Sequence, residues 1–317
     1  MEKGRNVTWD YARGIAILMI VLYHLYGYSN RGSGSIPVSI CHTVQIPIFM
    51  YVSGVLSVSS FERYELGRLL YNRAIRLCLP FISFMLIWMI INPTGFVTRV
   101  LDEFKGGYWF VLVLFEITLI AGLAKYIAEK TKTNRLLTIL LAFVVMTFYE
   151  YFIPRDNVVN RLLSINLVWH YFPFFILGFY HSNLRKYLQL KLSAFYFFGF
   201  VALQYYFYMT GNSVALPFCN LLSLLFLMSL FLNNIRPLES LFSYLGIYSL
   251  QIYLIHYFLL SLVIPYLPIV ENRWLEFFYF MALTFTVIMI AVAISKFLMR
   301  SKLLAKFLFG IMDSSHR

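Results

Sequence analysis

The first apolar segment of the chain carries a histidine and an arginine whose spacing places them on one face of a helix. Arg13 and His24 are eleven residues apart, which is about three turns plus some 20° and about 16 Å along a helix axis. An imidazole accepts a proton near neutral pH, so His24 is a candidate general base for the deprotonation of an alcohol. Asp10, three residues before Arg13, is expected to pair with the guanidinium and hold it.

This arrangement suits a long substrate that is anionic at one end. The anionic end would contact Arg13 near the cytoplasmic interface, and the reactive end would reach toward His24 in the middle of the bilayer. Coenzyme A has this shape, with phosphates at one end and a thioester at the other. The alternative is that Arg13 only anchors the helix at the interface, which positively charged residues often do.

A second pair of basic residues, Arg73 and Arg76, ends the next cytoplasmic loop. Arginines three residues apart on a helix share a face, and two guanidinium groups suit a phosphate. The alternative is topological, because every cytoplasmic loop of a membrane protein is expected to be basic.

Ionisable side chains within apolar segments are costly in a bilayer, so each is a functional candidate. The clearest of these residues are His24, His42, Glu116, His170 and His256. The alternative for each one is a satisfied hydrogen bond between neighbouring helices. Cys41, Cys78 and Cys219 lie within apolar segments at no metal-ligand spacing, so no metal site is expected.

The composition defines the elements that must position these residues. The chain has 317 residues, of which 61% are hydrophobic and 13% are charged, and its mean hydropathy is +0.74. A soluble domain needs about twice that charge, so a water-soluble globule is excluded. We expect an all-α, polytopic bundle in one membrane-embedded domain over residues 1–317, with no soluble domain. Ten spans are predicted at 10–28, 36–58, 77–92, 108–126, 136–153, 164–181, 193–210, 214–232, 241–267 and 274–298.

The distribution of Lys and Arg sets the predicted orientation. With the N-terminus inside, 20 of the 26 basic residues fall on the cytoplasmic side and 6 on the other, which predicts that both termini are cytoplasmic. The net charge of +12 is therefore explained by topology and headgroup contacts, and no nucleic-acid partner is expected. The first segment lacks a small-residue cleavage site and is interpreted as an uncleaved span.

Several motifs occur in an order that resembles a known family. Arg13 and His24 are followed by Pro47-x-Phe49-x-x-x-Ser53-Gly54, by Arg73-x-x-Arg76 and by Trp109-Phe110. The segments Phe172–Gly178 and Leu245–His256 come later. Together they resemble the acyltransferase-3 family, integral-membrane O-acyltransferases that acetylate bacterial surface and secreted polysaccharides. Val55 differs from the family's pattern, in which an aromatic residue is common after Ser-Gly. Some relatives carry an additional hydrolase-like domain, and none is expected here after residue 300.

The resemblance implies an activity and a set of roles. An acetyl group would pass from cytoplasmic acetyl-coenzyme A to a glycan hydroxyl, in a multi-pass protein of the inner (cytoplasmic) membrane, without a metal. His24 would be catalytic, with Arg13, Arg73 and Arg76 contacting the donor. Glu116 is a second catalytic candidate that would orient His24 or the sugar. Ser53, Trp109, Tyr253 and His256 would line the acceptor side.

Two points stay open at this level. His24 is suited to act as a general base, and an acyl-histidine intermediate is equally compatible with the residues. A transporter or flippase for a polar molecule or lipid-linked glycan would also bury polar residues. Transporters often show internal repeats or paired broken helices, and the sequence shows neither. A non-catalytic scaffold would leave the five intramembrane ionisable residues unexplained.

Overall fold

The computed structural model of the chain describes residues 6–27, 34–91 and 95–311, and within these ranges every regular element is helical. Lys3, Arg5, Arg31 and Arg317, which the predicted topology counts, lie outside the described residues, as do the predicted span ends at 28 and 92. The α-helices of the described ranges are α1 (Val7–Gly27), α2 (Ile36–Arg63), α3 (Leu66–Arg73), α4 (Leu79–Ile91), α5 (Phe96–Val100), α6 (Trp109–Thr131), α7 (Arg135–Phe152), α8 (Val158–Leu163), α9 (Ile165–Phe179), α10 (His181–Leu184), α11 (Leu190–Thr210), α12 (Leu216–Leu232), α13 (Glu239–Ile247), α14 (Ser249–Val263), α15 (Arg273–Leu298) and α16 (Lys302–Phe309).

Long apolar helices account for much of this structure. Six stretches of the described ranges are long and apolar enough to cross a membrane, namely Ile36–Arg63, Leu66–Ile91, Trp109–Thr131, Arg135–Phe152, Ser249–Tyr266 and Arg273–Leu298. Only 6% of the apolar window of α7 is buried against the rest of the protein, as expected for a helix that faces lipid. The all-α membrane class is therefore confirmed.

The other four predicted spans also contain helices. The apolar helices α9 and α12 are shorter than the six long stretches. Helices α1 and α11, with 21 residues each, are long enough to span a bilayer but are less apolar. Polar residues such as Asp10, Arg13 and Gln204 lower their hydropathy. The count of ten spans and the cytoplasmic placement of both termini remain predictions.

Two predicted spans are not single regular helices. The third begins earlier than expected, at Leu66, and contains a π-helical turn over Ala74–Cys78 between α3 and α4. The ninth, predicted as one helix over 241–267, is divided into α13 and α14 at Tyr248, whose φ of −97° and ψ of 11° are not helical. Apolar content is equally high on both sides of that break, so the sequence pattern did not reveal it.

The chain divides into two compact units by its internal contacts. Unit 1 consists of Met1–Val55 and Leu177–Phe297, and unit 2 consists of Leu56–Ile176 and Leu298–Arg317. Helices α2, α9 and α15 each have residues in both units.

Within unit 1, α1 packs most closely against α13, through a reciprocal pair of glycines. A β-carbon at Gly14 would lie 1.8 Å from the carbonyl oxygen of Phe242, and a β-carbon at Gly246 would lie 1.8 Å from the carbonyl oxygen of Asp10. Small residues allow such backbone approach in membrane proteins. The helix that carries Asp10, Arg13 and His24 is therefore held by direct contact between two backbones.

Substitution of Gly246 by alanine is expected to destabilise unit 1, because the new methyl group has no room beside the α1 backbone. A shift of packed helices of this kind costs about 1–3 kcal/mol. The measurement is the thermal unfolding midpoint of the protein in detergent. Gly27→Ala is the control, since a β-carbon at Gly27 meets no atom within 4 Å among the described residues. Equal midpoints for the two variants would contradict the close approach.

Within unit 2, α6 packs against α3, α7 and the π turn, and α16 packs against α4. The hydroxyl of Ser83 on α4 donates a hydrogen bond of 2.9 Å to the carbonyl of Phe307 on α16. The rings of Phe84 and Phe309 lie 6.4 Å apart on the same pair of helices. These contacts support the segment that follows Arg73 and Arg76.

Candidate active site

His24 lies in unit 1, where α1 meets α14. The hydroxyl of Tyr257 is 2.8 Å from Nε2 of His24 and 3.5 Å from its Nδ1, so one phenol reaches both ring nitrogens. The ring of His256, on the same helix as Tyr257, has its centroid 5.5 Å from that of His24. The His256 and Tyr257 rings are 4.3 Å apart. We call His24, His256 and Tyr257 the histidine cluster.

The hydrogen bonds of His256 define which nitrogen carries its proton. His256 is fully buried, and its Nδ1 lies 2.7 Å from the carbonyl oxygen of Tyr253 and 3.2 Å from that of Ile252. A carbonyl oxygen only accepts, so Nδ1 carries the proton and Nε2 is left as an acceptor. Among the described residues, Nε2 has no hydrogen-bond partner. A buried acceptor of this kind is costly unless a donor such as a hydroxyl or a water reaches it.

Arg13 and Asp10 form an ion pair on α1, one turn apart. Asp10 is 4% exposed, and its own carbonyl is the group on which Gly246 packs. The carboxylate that holds Arg13 is thus fixed by the contact between α1 and α13. Because α1 is continuous from Val7 to Gly27, the helical separation of about 16 Å between Arg13 and His24 applies to this structure.

The other sequence candidates of unit 1 have different surroundings. Tyr253 is buried, with its ring 5.9 Å from that of His256. Ser53 is half-buried on α2. His42, also on α2, stacks on Tyr23 at 6.0 Å and an interplanar angle of 27°.

In unit 2, Arg73 and Arg76 are not equivalent. Arg73 ends α3 and donates a 3.0 Å hydrogen bond to the hydroxyl of Ser57, whereas Arg76 lies in the π turn and is exposed. A π turn has more residues per turn than an α-helix, so the angle between the two side chains differs from that of a regular helix. Arg76 presents its charge to solvent, and Arg73 is oriented by a neighbour.

Glu116 is a buried carboxylate of unit 2, on α6. Both of its oxygens are shielded from solvent, and among the described residues neither has a hydrogen-bond partner. Three other sequence candidates, Arg73, Arg76 and Trp109, belong to the same unit as Glu116. Trp109, at the start of α6, stacks on Tyr171 with ring centroids 5.4 Å apart and an interplanar angle of 19°.

Lys105 is one of the six basic residues that the charge distribution places on the non-cytoplasmic side, and its side chain is buried. Its side chain donates a 2.7 Å hydrogen bond to the carbonyl of Asp102 and a further one to the carbonyl of Arg161. Burial lowers the pKa of Lys105, and the nearby acidic groups Asp102, Glu116 and Glu103 oppose that shift. Lys105 is thus a cation whose field acts on Glu116.

Three further residues of these surroundings were missed by sequence reasoning. Tyr257 is one of 24 tyrosines, and nothing but its position next to His256 sets it apart. Glu276 accepts a 3.1 Å hydrogen bond from the hydroxyl of Tyr26 and is 2% exposed, although it stands near a predicted span boundary. Nδ1 of His181 lies 2.7 Å from the hydroxyl of Tyr51.

The chain was compared with known proteins. Residues 6–295 match the family model of an acyltransferase domain. Nodulation protein NolL of Sinorhizobium fredii (strain NBRC 101917 / NGR234) is 27% identical over 200 residues, which are 56% of this chain and 49% of that protein. Nodulation protein NolL of Mesorhizobium japonicum (strain LMG 29417 / CECT 9101 / MAFF 303099) is 29% identical over 127 residues, which are 36% of this chain and 34% of that protein. No solved structure matches the chain.

The matched stretches cover about half of the first relative and about a third of the second. The family model, in contrast, covers most of the present chain and includes every candidate residue from Asp10 to His256. The resemblance inferred from the ordered motifs is therefore confirmed: the chain belongs to the acyltransferase-3 family.

Proposed function

We propose that the protein is a membrane O-acyltransferase that transfers an acetyl group from cytoplasmic acetyl-coenzyme A to a hydroxyl of a surface or exported glycan. The observation that carries the proposal is the histidine cluster of unit 1. His24 is held there by the hydroxyl of Tyr257, beside Nε2 of His256, which has no hydrogen-bond partner among the described residues. The protein works in the cytoplasmic membrane, which its long apolar helices fit.

The histidine cluster supplies the proton transfers that such a reaction needs. His24 takes the proton of the attacking hydroxyl, whose oxygen then bonds to the thioester carbonyl carbon. The tetrahedral intermediate collapses, the carbon–sulfur bond breaks, and the proton returns from His24 to the departing thiolate. Nε2 of His256 accepts a hydrogen bond from the acceptor or from a water, which satisfies its buried lone pair.

Other residues of unit 1 have supporting roles in this proposal. Arg13, held by Asp10, contacts an anionic part of the donor near the membrane surface. Ser53 and Tyr253 line the acceptor side together with His256.

For unit 2 we propose three roles from the same reasoning. Arg73 and Arg76 bind phosphate groups of the donor, because guanidinium groups make charge-assisted hydrogen bonds to phosphate oxygens. Trp109, stacked on Tyr171, offers an aromatic surface to a sugar ring. Glu116, whose buried oxygens have no hydrogen-bond partner among the described residues, accepts hydrogen bonds from polar groups of the reactants.

Substitution of Tyr257 by phenylalanine is expected to lower kcat about tenfold with a smaller change in KM, because it removes one hydrogen bond to the base and keeps the ring. The measurement is the rate of acetyl transfer as a function of pH, since a lost contact to His24 also changes the shape of that profile. Tyr266→Phe, at a tyrosine that is 85% exposed, is the control. A wild-type rate and profile for Tyr257→Phe would remove the hydroxyl from the mechanism.

The activity itself is tested with the purified protein in lipid vesicles. Addition of acetyl-coenzyme A labelled in the acetyl group, together with a glycan extract, is expected to give labelled glycan and free coenzyme A in equal amounts. If a labelled glycan precursor instead crosses the membrane with no acetyl donor present, and no acetyl group is transferred, the protein is a transporter and the proposal is wrong.

A further inference from the structure

Unit 2 contains a cavity of about 590 Å³ that has no role in the reaction described above. It is formed by the C-terminal end of α2, the first turn of α3 and the facing C-terminal half of α6. The volume falls within the range of small-molecule sites. These segments belong to the part of the chain that the charge distribution predicts to be cytoplasmic.

The cavity is lined by two tyrosines, Tyr64 and Tyr126, each with a cation near its ring. The guanidinium of Arg63, another lining residue, lies 5.7 Å from the ring centre of Tyr64, and that of Arg68, outside the lining, lies 5.6 Å from the same ring. On the opposite wall, the ammonium of Lys130 lies 5.7 Å from the ring centre of Tyr126. Tyrosine rings and guanidinium planes are the groups on which a nucleic-acid base stacks, and the same cations bind phosphate.

The remaining charges of the lining are of both signs. Lys125 is fixed by a 2.5 Å hydrogen bond to the carbonyl of Phe61 and lies 3.5 Å from the carboxylate of Glu129, which also faces Arg135 at 3.8 Å. Glu62 and Glu65 add two carboxylates. Such a wall suits a ligand with anionic phosphates and with neutral donors, as in an adenine amino group and a ribose hydroxyl, better than it suits a bare phosphate ion.

The cavity lies on the same face of α3 as Arg73. Leu66 and Leu69 line the cavity, and Arg73 follows them at i+7 and i+4, positions that share one face of a helix. Along the axis, Arg73 is about 10 Å from Leu66. From Leu66 the helix continues through Arg73 toward the apolar α4. Arg73 therefore lies between the cavity and the segment that is expected to enter the bilayer.

We propose that this cavity binds the adenosine 3′,5′-bisphosphate end of an acyl-coenzyme A donor. The proposal rests on the proposed function and adds a subsite to it. The adenine stacks against Tyr64 or Tyr126, the 3′-phosphate contacts the cations of the lining, and the pyrophosphate reaches Arg73. The pantetheine arm is then directed along α4.

Gly67 offers a way to block the cavity without disturbing the fold. It lines the cavity in the first turn of α3, and a β-carbon at this position meets no atom within 4 Å among the described residues. In Gly67→Trp the new ring occupies the free space, whereas Gly67→Ala adds a single methyl group to it. Arg63→Gln is a second variant that removes a cation at the surface and leaves the volume unchanged.

The first test is binding of adenosine 3′,5′-bisphosphate to the purified full-length protein by calorimetry. Gly67→Trp is expected to weaken binding at least about tenfold, Arg63→Gln by several fold, and Gly67→Ala by less than Gly67→Trp. Ser182→Trp, at an exposed position of α10 in unit 1, is the control for an added tryptophan. If the wild type does not bind the nucleotide, or if Gly67→Trp binds it equally well, the cavity is not the nucleotide site.

The second test compares acetyl-coenzyme A with acetyl-pantetheine, which has the thioester but lacks the nucleotide. Gly67→Trp is expected to raise KM for acetyl-coenzyme A about tenfold and to leave the kinetics with acetyl-pantetheine within about twofold of the wild type. An equal effect on both donors contradicts the inference. A wild-type protein that transfers acetyl groups from neither donor contradicts the proposed function itself, and the binding test still decides whether the cavity takes the nucleotide.

Discussion

Substitution of His24 by alanine is expected to reduce acetyl transfer by about 10²–10⁴-fold, the contribution that a positioned general base typically makes. The reason is structural as well as chemical. His24, which is half-buried, faces Tyr257 and His256 in unit 1, and neither of these groups replaces it as a proton acceptor from the same position. The rate is measured with labelled acetyl-coenzyme A on protein reconstituted at equal amounts.

Two comparisons separate chemistry from folding in this experiment. His24→Gln keeps a polar side chain of similar length beside the Tyr257 hydroxyl but does not accept a proton, so it is expected to be as inactive as the alanine variant. His42→Gln removes an intramembrane histidine that stacks on Tyr23, and it is expected to retain most of the activity. An active His24→Ala protein, or an equally strong loss in His42→Gln, would contradict the assignment of His24.

Removal of both arginines at the end of α3, as Arg73→Gln with Arg76→Gln, is expected to weaken binding of acetyl-coenzyme A about 100-fold. Each charge-assisted hydrogen bond contributes about 1.5–3 kcal/mol, and the two losses together exceed the 1.4 kcal/mol that corresponds to a factor of ten. Because Arg73 is oriented by Ser57 whereas Arg76 is exposed, the single Arg73 variant is expected to account for the larger share.

The affinity of the double variant is measured by titration with coenzyme A and by KM for acetyl-coenzyme A. Arg185→Gln with Lys186→Gln is the matched control, since it removes two exposed positive charges from a predicted cytoplasmic segment of unit 1. Unchanged affinity in the Arg73 and Arg76 variant would exclude these residues from the donor site. Equal weakening in the control would show that only the overall surface charge matters.

The sequence predicted those features that depend directly on residue type, such as the cost of placing a charged side chain in a bilayer. A chain with this little charge must be a membrane protein, and ionisable residues inside its apolar segments are few enough to be named individually. Helical spacing predicted the Asp10–Arg13 pair, which the structure contains. The order of weak motifs along the chain predicted the family, which the family model confirms over residues 6–295.

The features that sequence reasoning missed depend on contacts between distant segments. Tyr257 differs from the other tyrosines only because α14 packs beside α1, 233 residues away in sequence. The break at Tyr248 accompanies the approach of the Gly246 backbone to α1, which apolar content does not encode. Lys105 was counted as a topology signal because its charge is visible in the sequence and its burial is not.

The burial of Lys105 has its own physical reason. Lys105, Gly106 and Gly107 have φ values of 51°, 57° and 103°, so the chain makes a left-handed turn before α6. Two glycines make such a turn accessible, and the lysine then satisfies backbone carbonyls of Asp102 and Arg161. In a sequence, a glycine pair next to a lysine indicates a turn of the backbone. It does not indicate where the lysine side chain points.

The central claim is that this chain acetylates glycans by means of His24, and mass spectrometry of surface glycans tests it most directly. Glycans are compared from cells with the wild-type protein, with His24→Ala protein at the same membrane level, and without the protein. The account predicts glycans heavier by the mass of an acetyl group in the first sample only, with the sugar and position identified by fragmentation. Acetylated glycans in all three samples, or in the His24→Ala sample at the wild-type level, would contradict it.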